Sequence, residues 1–271
     1  MENGPKIIMI QGKNPGKTLA VFCGVHGNER VGIDAVNEVL EEVDIKNGTV
    51  YFVFANTKAI KQNTRFIEKN LNRCFIEGNN GQTYEDCIAR ELLPILDKSD
   101  TLLDIHASNT KNTTPFVIHG GLDSDFVKEL DFEIISTGWD EIEPGATEGY
   151  MLHQNKPGVC VECGYTEDSE SYTGLAKDSL YKFLKYNGAI SVSTERTERK
   201  QKHLFVYRVV MKDVEDFELT KNFDDFEELK KGTCFAQDNT KKYIVDRDSV
   251  ILFAKKGKPV GVEACVLGYW K

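Results

Sequence analysis

Short apolar segments alternate with amphipathic segments in the first half of the chain, and this alternation constrains the fold more than any other feature. Residues 18–23 and 50–55 are apolar runs rich in Val, Phe and Ala. Between them, residues 30–43 place apolar side chains at helical spacing, after a turn framed by Gly24 and Gly27. A run that is apolar on both faces is typical of an inner strand covered by helices. The order strand, helix, strand therefore predicts an α/β fold.

The same criteria predict the remaining elements of the first 190 residues. Pro94 is expected to kink or end the helix in which it lies, because proline removes a helical hydrogen bond. Further strands are predicted at residues 6–10, 101–105, 116–119, 132–136 and 158–163, and further helices at residues 83–96 and 172–186.

The sequence changes in character near Ser191. Residues 193–202 are polar and densely charged, which is typical of a linker. We therefore expect one domain over residues 1–190 and a small, mostly β domain over residues 191–271. The strands of the second domain are predicted at residues 203–211, 242–245 and 249–253, with a weak helix at residues 224–231.

The charge and cysteine content exclude several classes of protein. A net charge of -9 over 271 residues argues against a protein that binds mainly nucleic acid or anionic lipid, because such binding rests on many Lys and Arg contacts. No run reaches the roughly 18 apolar residues of a membrane span, and the first residues do not resemble an export signal. The 7 scattered cysteines fit reduced thiols better than a disulfide framework. We expect a cytoplasmic protein with neither nucleic acid nor membrane as a partner.

The turn between the first central strand and its helix carries a candidate metal site. It reads Gly24-Val25-His26-Gly27-Asn28-Glu29, and glycines there let the backbone bend closely. His26 and Glu29 are three residues apart, so one nitrogen and one carboxylate oxygen can reach the same zinc ion. The alternative is a loop histidine and a first-turn glutamate that only favours the helix dipole.

A third ligand is offered by His106, at the end of the strand predicted from residue 101. Ligands gather at the carboxyl ends of strands in open α/β sheets, so His106 can meet His26 and Glu29 although it is distant in sequence. Two His and one Glu leave a zinc position open for water, as in hydrolytic sites. Asp104 points to the same face as His106 and either orients that ligand or is a satisfied buried acid.

Glu162 is the candidate for proton transfer, because a carboxylate near the end of an apolar strand loses solvation unless it has a task or a partner. The alternative is a glutamate at the rim of the strand. Cys160 and Cys163 form a lone C-x-x-C pair, but residues three apart in a strand face opposite sides. We interpret them as ordinary thiols.

Residues 58–73 are basic within an acidic protein. Lys58, Lys61, Arg65, Lys69 and Arg73 stand there against Glu68. A charge cluster is usually a solvated face. Guanidinium groups nevertheless suit the recognition of carboxylates and developing oxyanions, so Arg65 and the Asn72-Arg73 pair are candidate substrate contacts.

Taken together, these segments resemble the succinylglutamate desuccinylase and aspartoacylase family of the zinc carboxypeptidase superfamily. The resemblance spans most of the chain and is weaker towards the C-terminus. The matching pieces are, in order, His26-Gly27-Asn28-Glu29, Asn56, Arg65, Asn70-Leu71-Asn72-Arg73, Asp104-Ile105-His106, Val161-Glu162-Cys163-Gly164, and in the tail Val206-Tyr207-Arg208, Lys231-Gly232 and Glu263-Ala264.

The resemblance implies a mixed central sheet flanked by helices, with a small β domain at the C-terminus, and one zinc ion per chain. His26, Glu29 and His106 would hold the zinc. Glu162 would be the general base that activates the zinc-bound water and then the acid that protonates the leaving amine. Arg65 would stabilise the oxyanion. Asn72 and Arg73 would bind the carboxylate of the amino-acid product.

The chain departs from the family in one respect that concerns specificity. Aspartoacylases carry an arginine shortly before the catalytic glutamate, which holds the side-chain carboxylate of the substrate. Here no arginine lies between Arg90 and Arg196, and His153 stands in the corresponding neighbourhood. This departure argues against N-acetylaspartate as the substrate.

The first functional hypothesis is a zinc-dependent amidohydrolase that cleaves an N-acyl amino acid. The second is a zinc carboxypeptidase that acts on a short peptide with a free carboxylate. The third is a catalytically silent metal-binding protein on the same fold, which is disfavoured because ligands, base and arginine occur together. The predicted partner is in each catalytic case a small molecule, and a homodimer is left open.

Overall fold

The structure is a computed structural model that describes residues 4–122, 124–191 and 200–271. Its strands are β1 Lys6–Gln11, β2 Asn14–Cys23, β3 Asn47–Phe54, β4 Thr101–Ser108, β5 Phe116–His119, β6 Ile134–Thr137, β7 Gly158–Tyr165, β8 Lys202–Met211, β9 Glu218–Leu219, β10 Glu227–Leu229, β11 Cys234–Gln237, β12 Lys242–Ile244, β13 Ser249–Leu252 and β14 Glu263–Trp270. Its helices are α1 Arg30–Glu42, α2 Thr57–Gln62, α3 Tyr84–Lys98, α4 Ser124–Glu129, α5 Trp139–Ile142, α6 Thr147–His153 and α7 Ser169–Tyr186, with a 3-10 turn at Leu71–Arg73.

One 11-stranded sheet organises the molecule, in the order β1-β3-β2-β4-β7-β5-β6-β8-β14-β13-β10. Strands β3, β2, β4 and β7 run parallel, whereas β1, β5 and the strands after β8 add antiparallel pairs. The fold is therefore a mixed α/β sheet followed by C-terminal β strands, which confirms the predicted fold class.

Helices cover both faces of the parallel strands. On one face, α1 and α7 bury Val31, Val36, Leu180 and Phe183 against the sheet. On the other face, apolar residues of α3, α6 and the 3-10 turn form a second core. This double coverage explains the apolar residues in the second half of β2 and along most of β4, as expected for strands buried on both sides.

The helix α3 passes through Pro94 and continues to Lys98, so Pro94 does not end it. The helix is fixed at its start by a capping box, in which Thr83 and Asp86 exchange side-chain and backbone hydrogen bonds. Its last turn is held by burial of Leu96. Packing at the C-terminal end therefore outweighs the hydrogen bond that proline removes.

The prediction of a helix at residues 224–231 is wrong. Phe226 adopts a positive φ of 66°, which interrupts a helix, and Glu227–Leu229 forms β10 against β13. Pairing with a neighbouring strand overrides the local helical spacing. Among the described residues after Tyr186, the structure has strands and turns but no helix.

The main sheet continues across the proposed domain boundary at residue 190. Strand β8 pairs in parallel with β6, with Lys202 opposite Ile134. Most of the predicted linker lies outside the described residues, and the boundary stays a prediction. The C-terminal strands also build a core of their own around Phe223, Phe235 and Leu267, beside a small sheet of β12, β11 and β9. None of the described helices is long and apolar enough to cross a bilayer.

Gly32 provides a test of the contact between α1 and β4. A Cβ at this position would lie 2.8 Å from the carbonyl oxygen of Ile105 and 3.0 Å from its Cβ. We expect Gly32→Ala to lower the free energy of unfolding by about 1–3 kcal/mol, because overpacking displaces the helix from the sheet. Urea denaturation measures the change.

The matched control is Gly174→Ala in α7, where an added Cβ meets no heavy atom within 4 Å. There alanine should stabilise the helix by about 0.5–1 kcal/mol. Equal unfolding free energies for the two variants would show that α1 does not pack on β4 as closely as described.

Candidate functional site

The candidate metal ligands meet at the carboxyl edge of the parallel strands. His26 lies in the loop after β2, Glu29 occupies the N-cap position of α1, and His106 lies near the end of β4. Strands β2 and β4 are parallel neighbours, so their carboxyl ends share one edge of the sheet. The strand order therefore brings together ligands that are far apart in sequence.

The ligand atoms of these residues lie within 4.8 Å of one another, and all three residues are buried. Nδ1 of His26 is 2.8 Å from Oε1 of Glu29, and Nδ1 of His106 is 3.0 Å from Oε2 of Glu29. The Nδ1 atoms of the two histidines are 3.2 Å apart. This group could hold a metal ion.

The outward ring nitrogens of both histidines face oxygen atoms. Nε2 of His26 is 2.9 Å from Oδ1 of Asn70, and Nε2 of His106 is 3.1 Å from Oδ2 of Asp104. Asp104 in turn accepts a hydrogen bond of 2.5 Å from the hydroxyl of Thr147. The contact with Asn70 orients the ring of His26 and presents its Nδ1 to the cluster, whereas Nε2 of His106 is within ion-pair distance of Asp104 but has no hydrogen-bond partner among the described residues. Asp104 thus lies where it can orient His106.

Electrostatics separate the two histidines. Burial lowers the pKa of His26, and the guanidinium of Arg65 lowers it further, which favours a neutral imidazole. Burial opposes charge on His106 as well, but the carboxylates of Asp104 and Glu29 raise the pKa of His106 well above its usual value. Glu29 resists protonation: against the effect of its burial, the two imidazoles hold its pKa well below the usual range.

Glu162 lies directly beside His106. The two residues are register partners on the parallel strands β4 and β7, so their side chains project to the same face. The Oε2 atom of Glu162 is buried and has no hydrogen-bond partner among the described residues. Burial, followed by the nearby Glu29 carboxylate, raises the pKa of Glu162 to about 8. A carboxyl group in this state can carry a proton at neutral pH.

Arg65 contacts the ligand cluster itself. Its Nη1 donates a hydrogen bond of 3.0 Å to Oε1 of Glu29, and its carbonyl accepts from the N–H of Gly27. The loop that carries Arg65 is thereby joined to the turn that carries His26.

Arg73 is already paired with carboxyl groups of the chain. Its Nη2 lies 2.5 Å from Oε2 of Glu143 and 3.2 Å from Oε2 of Glu263, and its Nη1 donates to the carbonyl of Asn72. Burial raises the pKa of Glu143, and Glu263 raises it further. The pKa of Glu263 is lowered, because the contact with Glu143 and the nearby cations outweigh its burial. One proton between the two acids leaves a single negative charge beside Arg73.

All of the predicted site residues line one cleft of about 1090 Å³. They are His26, Glu29, Arg65, Asn72, Arg73, His106 and Glu162. Residues after position 200, including Val209, Phe253 and Glu263, form part of the same cleft. The structure thus brings the candidates together, while the role of each residue stays a prediction.

Two other sequence candidates lie apart from the ligand cluster. His153 is not among the cleft residues; its side chain is 63% exposed and its Nε2 lies 2.7 Å from Oδ2 of Asp140. Cys160 and Cys163 are free, buried thiols that pack in different apolar clusters. Their placement on opposite sides of β7 matches the prediction for residues three apart in a strand.

Comparison with known proteins identifies the family. Residues 15–177, more than half of the chain, match the family model of the succinylglutamate desuccinylase/aspartoacylase catalytic domain. The chain belongs to this family.

Relatives of both named types are found. Succinylglutamate desuccinylase of Vibrio parahaemolyticus is 23% identical over 277 residues, which cover 93% of this chain and 80% of the relative. A probable aspartoacylase of Nostoc is 31% identical over 166 residues, which cover 54% of each chain. The desuccinylase match therefore extends through the C-terminal strands, whereas the aspartoacylase match spans about half the chain.

Solved structures of the family share the fold. The X-ray structure of the Vibrio parahaemolyticus desuccinylase superimposes with a TM-score of 0.81 at 18% identity, over 97% of this chain and 86% of the other. The product-bound ectoine utilization protein EutE (DoeB) of Ruegeria pomeroyi gives a TM-score of 0.75 at 19% identity, over 97% and 88%. At such identities the likeness concerns the fold alone.

Sequence reasoning missed the residue that anchors the basic loop of this family member. Glu85, fully buried at the start of α3, accepts hydrogen bonds from the backbone N–H groups of Ile67, Glu68 and Lys69 and from the side chain of Asn56. Its sequence neighbourhood gave only the signal of a helix start. Glu85 fixes the backbone between Arg65 and Arg73.

We expect Glu85→Ala to loosen this loop. Removing the carboxylate leaves the N–H groups of Ile67, Glu68 and Lys69 without their acceptor, which costs about 1–3 kcal/mol for each buried group left unpaired. Hydrogen exchange should accelerate at these amides more than in β4. Glu91→Ala, an exposed position on the same helix, serves as the control. Unchanged protection of residues 67–69 in the Glu85 variant would contradict the anchoring role.

Proposed function

We propose that the chain is a zinc-dependent amidohydrolase that cleaves the amide bond of an N-acyl amino acid, releasing a carboxylate and the free amino acid. The observation that carries the proposal is the register pairing of His106 with Glu162, because Glu162, the proposed proton-transfer group, then lies beside the buried cluster of His26, Glu29 and His106. Membership of the desuccinylase/aspartoacylase family supports deacylation of a small N-acyl amino acid.

The donor set suits zinc. Two imidazole nitrogens and a carboxylate oxygen are ordinary zinc ligands, and a site with three protein ligands keeps a position open for water, as catalytic sites do. Asn70 and Asp104 add the outer contacts that commonly orient zinc-binding histidines. When bound, zinc would supply Lewis-acid chemistry that acidifies a water molecule and polarises the scissile carbonyl.

Glu162 would carry the proton through the reaction. As a carboxylate it accepts a proton from the attacking water, and as a carboxylic acid it returns that proton to the amide nitrogen when the C–N bond breaks. The proton count closes, because the carboxylate is regenerated as the amine leaves. A pKa raised by burial and by Glu29 suits both halves of this exchange near neutral pH.

The arginines would divide two tasks. Arg65, 3.0 Å from Glu29, is within reach of a carbonyl bound at the cluster and would meet the negative charge that develops on its oxygen. Arg73 and Asn72 would hold the carboxylate of the amino acid. In that role Arg73 shares its guanidinium between the substrate and the pair Glu143 and Glu263.

A carboxypeptidase acting on a short peptide would use the same residues. The C-terminal strands and loops supply Val209, Phe253, Lys258 and Glu263 to the cleft. These residues form one side of the cleft. They would obstruct a long peptide more than an N-acyl amino acid, which favours the deacylase.

Zinc binding is tested by metal analysis. After incubation with zinc and removal of free metal, the wild-type protein should hold about one zinc ion per chain, whereas His26→Ala should hold much less, because two donors rarely retain zinc. His153→Ala is the matched control, since His153 is exposed and does not line the cleft. Equal zinc content in the two variants would exclude His26 as a ligand.

Catalysis is tested with Glu162→Gln. The variant should keep its zinc and lose hydrolysis by about 10²–10⁴-fold, because glutamine cannot transfer the proton. Glu218→Gln, at an exposed position of β9, is the control. The substrates are N-acetyl, N-formyl and N-succinyl amino acids beside dipeptides, each with and without zinc. A fully active Glu162 variant removes the proposed base, and hydrolysis of dipeptides alone favours the carboxypeptidase.

A further inference from the structure

Beyond the polar residues of the proposed mechanism, the cleft has a continuous apolar wall. It consists of Ile118, Trp139, Ile142, Cys160, Val209 and Phe253. Ile118, Trp139 and Cys160 are largely buried, with at most 7% of each residue exposed. The ring centroids of Trp139 and Phe253 lie 5.9 Å apart, and both rings contact Phe116. The wall is therefore a packed surface and not a set of scattered side chains.

The wall begins at the proposed base. Cys160 precedes Glu162 by two residues on β7 and projects to the same face. On the neighbouring strand β5, Ile118 is the register partner of Cys160, as Phe116 is of Glu162. The apolar surface thus adjoins Glu162 in the direction of β5, which lies across β7 from β4 and from the loop of His26.

The wall also adjoins the proposed carboxylate contact. Trp139 and Ile142 are the first and last residues of the short helix α5, and the next residue, Glu143, contacts Arg73 at 2.5 Å. This step rests on the proposed function, in which Arg73 holds the carboxylate of the leaving amino acid and Glu162 protonates its nitrogen. Both groups are attached to one α-carbon. The remaining large substituent of that carbon is the side chain, which accordingly faces the apolar wall.

Most cations of the cleft are engaged within the protein. Of the five Lys and Arg side chains that line the cleft within the described chain, three are paired with an acid, and the other two, Lys255 and Lys258, donate to backbone carbonyls. The contacts are Arg65 with Glu29, Arg73 with Glu143, Lys69 with Asp86, Lys255 with the carbonyl of Phe223, and Lys258 with the carbonyls of Phe253 and Glu263. Glu148 also lines the cleft and lies near Cys160, and burial raises its pKa to about 7. Burial there would oppose the charge of a further carboxylate in the same way.

The cleft has room for a bulky group. Its volume of about 1090 Å³ is slightly above the range of ordinary ligand pockets, which is about 300–1,000 Å³. We infer that the substrate is an N-acyl amino acid with a large apolar side chain, aliphatic or aromatic, which packs on the wall formed by Ile118, Trp139, Ile142, Cys160, Val209 and Phe253.

The test compares N-acetyl and N-succinyl derivatives of one set of amino acids with the zinc-loaded protein. The set is phenylalanine, leucine, alanine, aspartate and arginine. Within either series, kcat/KM for phenylalanine or leucine should exceed that for alanine, aspartate and arginine by about tenfold or more, as expected for an apolar group in an apolar pocket. A preference for aspartate, arginine or alanine overturns the inference and leaves the proposed amidohydrolase intact.

Absence of hydrolysis in both series contradicts the proposed function instead. The apolar wall is then judged by calorimetry of the free amino acids with the zinc-loaded protein. Phenylalanine should bind at least about tenfold more tightly than aspartate, because the contact with the wall does not depend on the acyl group. Equal binding of the two amino acids overturns the inference.

A substituted wall gives a second, independent measurement. Val209→Arg places a cation on the half-buried surface of β8 and should shift the ratio of kcat/KM for aspartate over leucine derivatives upwards by about tenfold or more. Val214→Arg, at an exposed position outside the cleft, is the matched control. Ile142→Arg repeats the test if Val209→Arg does not fold. An unchanged ratio in the folded variant contradicts the assignment of the wall.

Discussion

The parallel pairing of β2, β4 and β7 is the constraint on which the candidate site depends. It aligns the loop after β2 with the end of β4, so that Glu29 meets both His26 and His106. The same pairing sets Glu162 opposite His106 on β7. Because side chains alternate along a strand, a slip of one residue between β4 and β7 would turn Glu162 away from the cluster. The register is protected by apolar burial on both faces of these strands.

The loop between Arg65 and Arg73 obtains its shape from a buried carboxylate together with one apolar anchor, Leu71, which packs in the second core. Glu85 accepts the N–H groups of successive loop residues, and Asn56 links this carboxylate to the end of β3. Asn70, in the same loop, contacts His26. The arginines, the histidine and the start of α3 therefore form one hydrogen-bonded unit. The residues before Leu71 keep a defined conformation because their backbone donors find acceptors inside the protein.

The elements that sequence reasoning predicted well are those with a strong local period. The strands β2, β3, β4 and β7 and the helices α1, α3 and α7 are apolar at regular spacing, and the turn at Gly24 marks where strand gives way to helix. The roles of Glu85, Asn70 and Glu143 depend on partners distant in sequence, and no local pattern reports such partners. The failed helix prediction around Phe226 has the same cause, since the pairing of β10 with β13 is also a contact between residues distant in sequence.

The contacts of Arg73 connect the cleft to the C-terminal strands. Glu143 belongs to the loop after α5, whereas Glu263 begins β14, and both carboxyl groups meet one guanidinium. With a single proton between them, the two acids carry one negative charge beside Arg73, and Lys258, which donates to carbonyl oxygens, also lies close to Glu263. On the proposed function, this charge balance would suit one substrate carboxylate. A second carboxylate on the side chain would have to enter the apolar wall, where burial of a charge is costly. On the proposed function, the same arrangement would retain one anionic group and disfavour another.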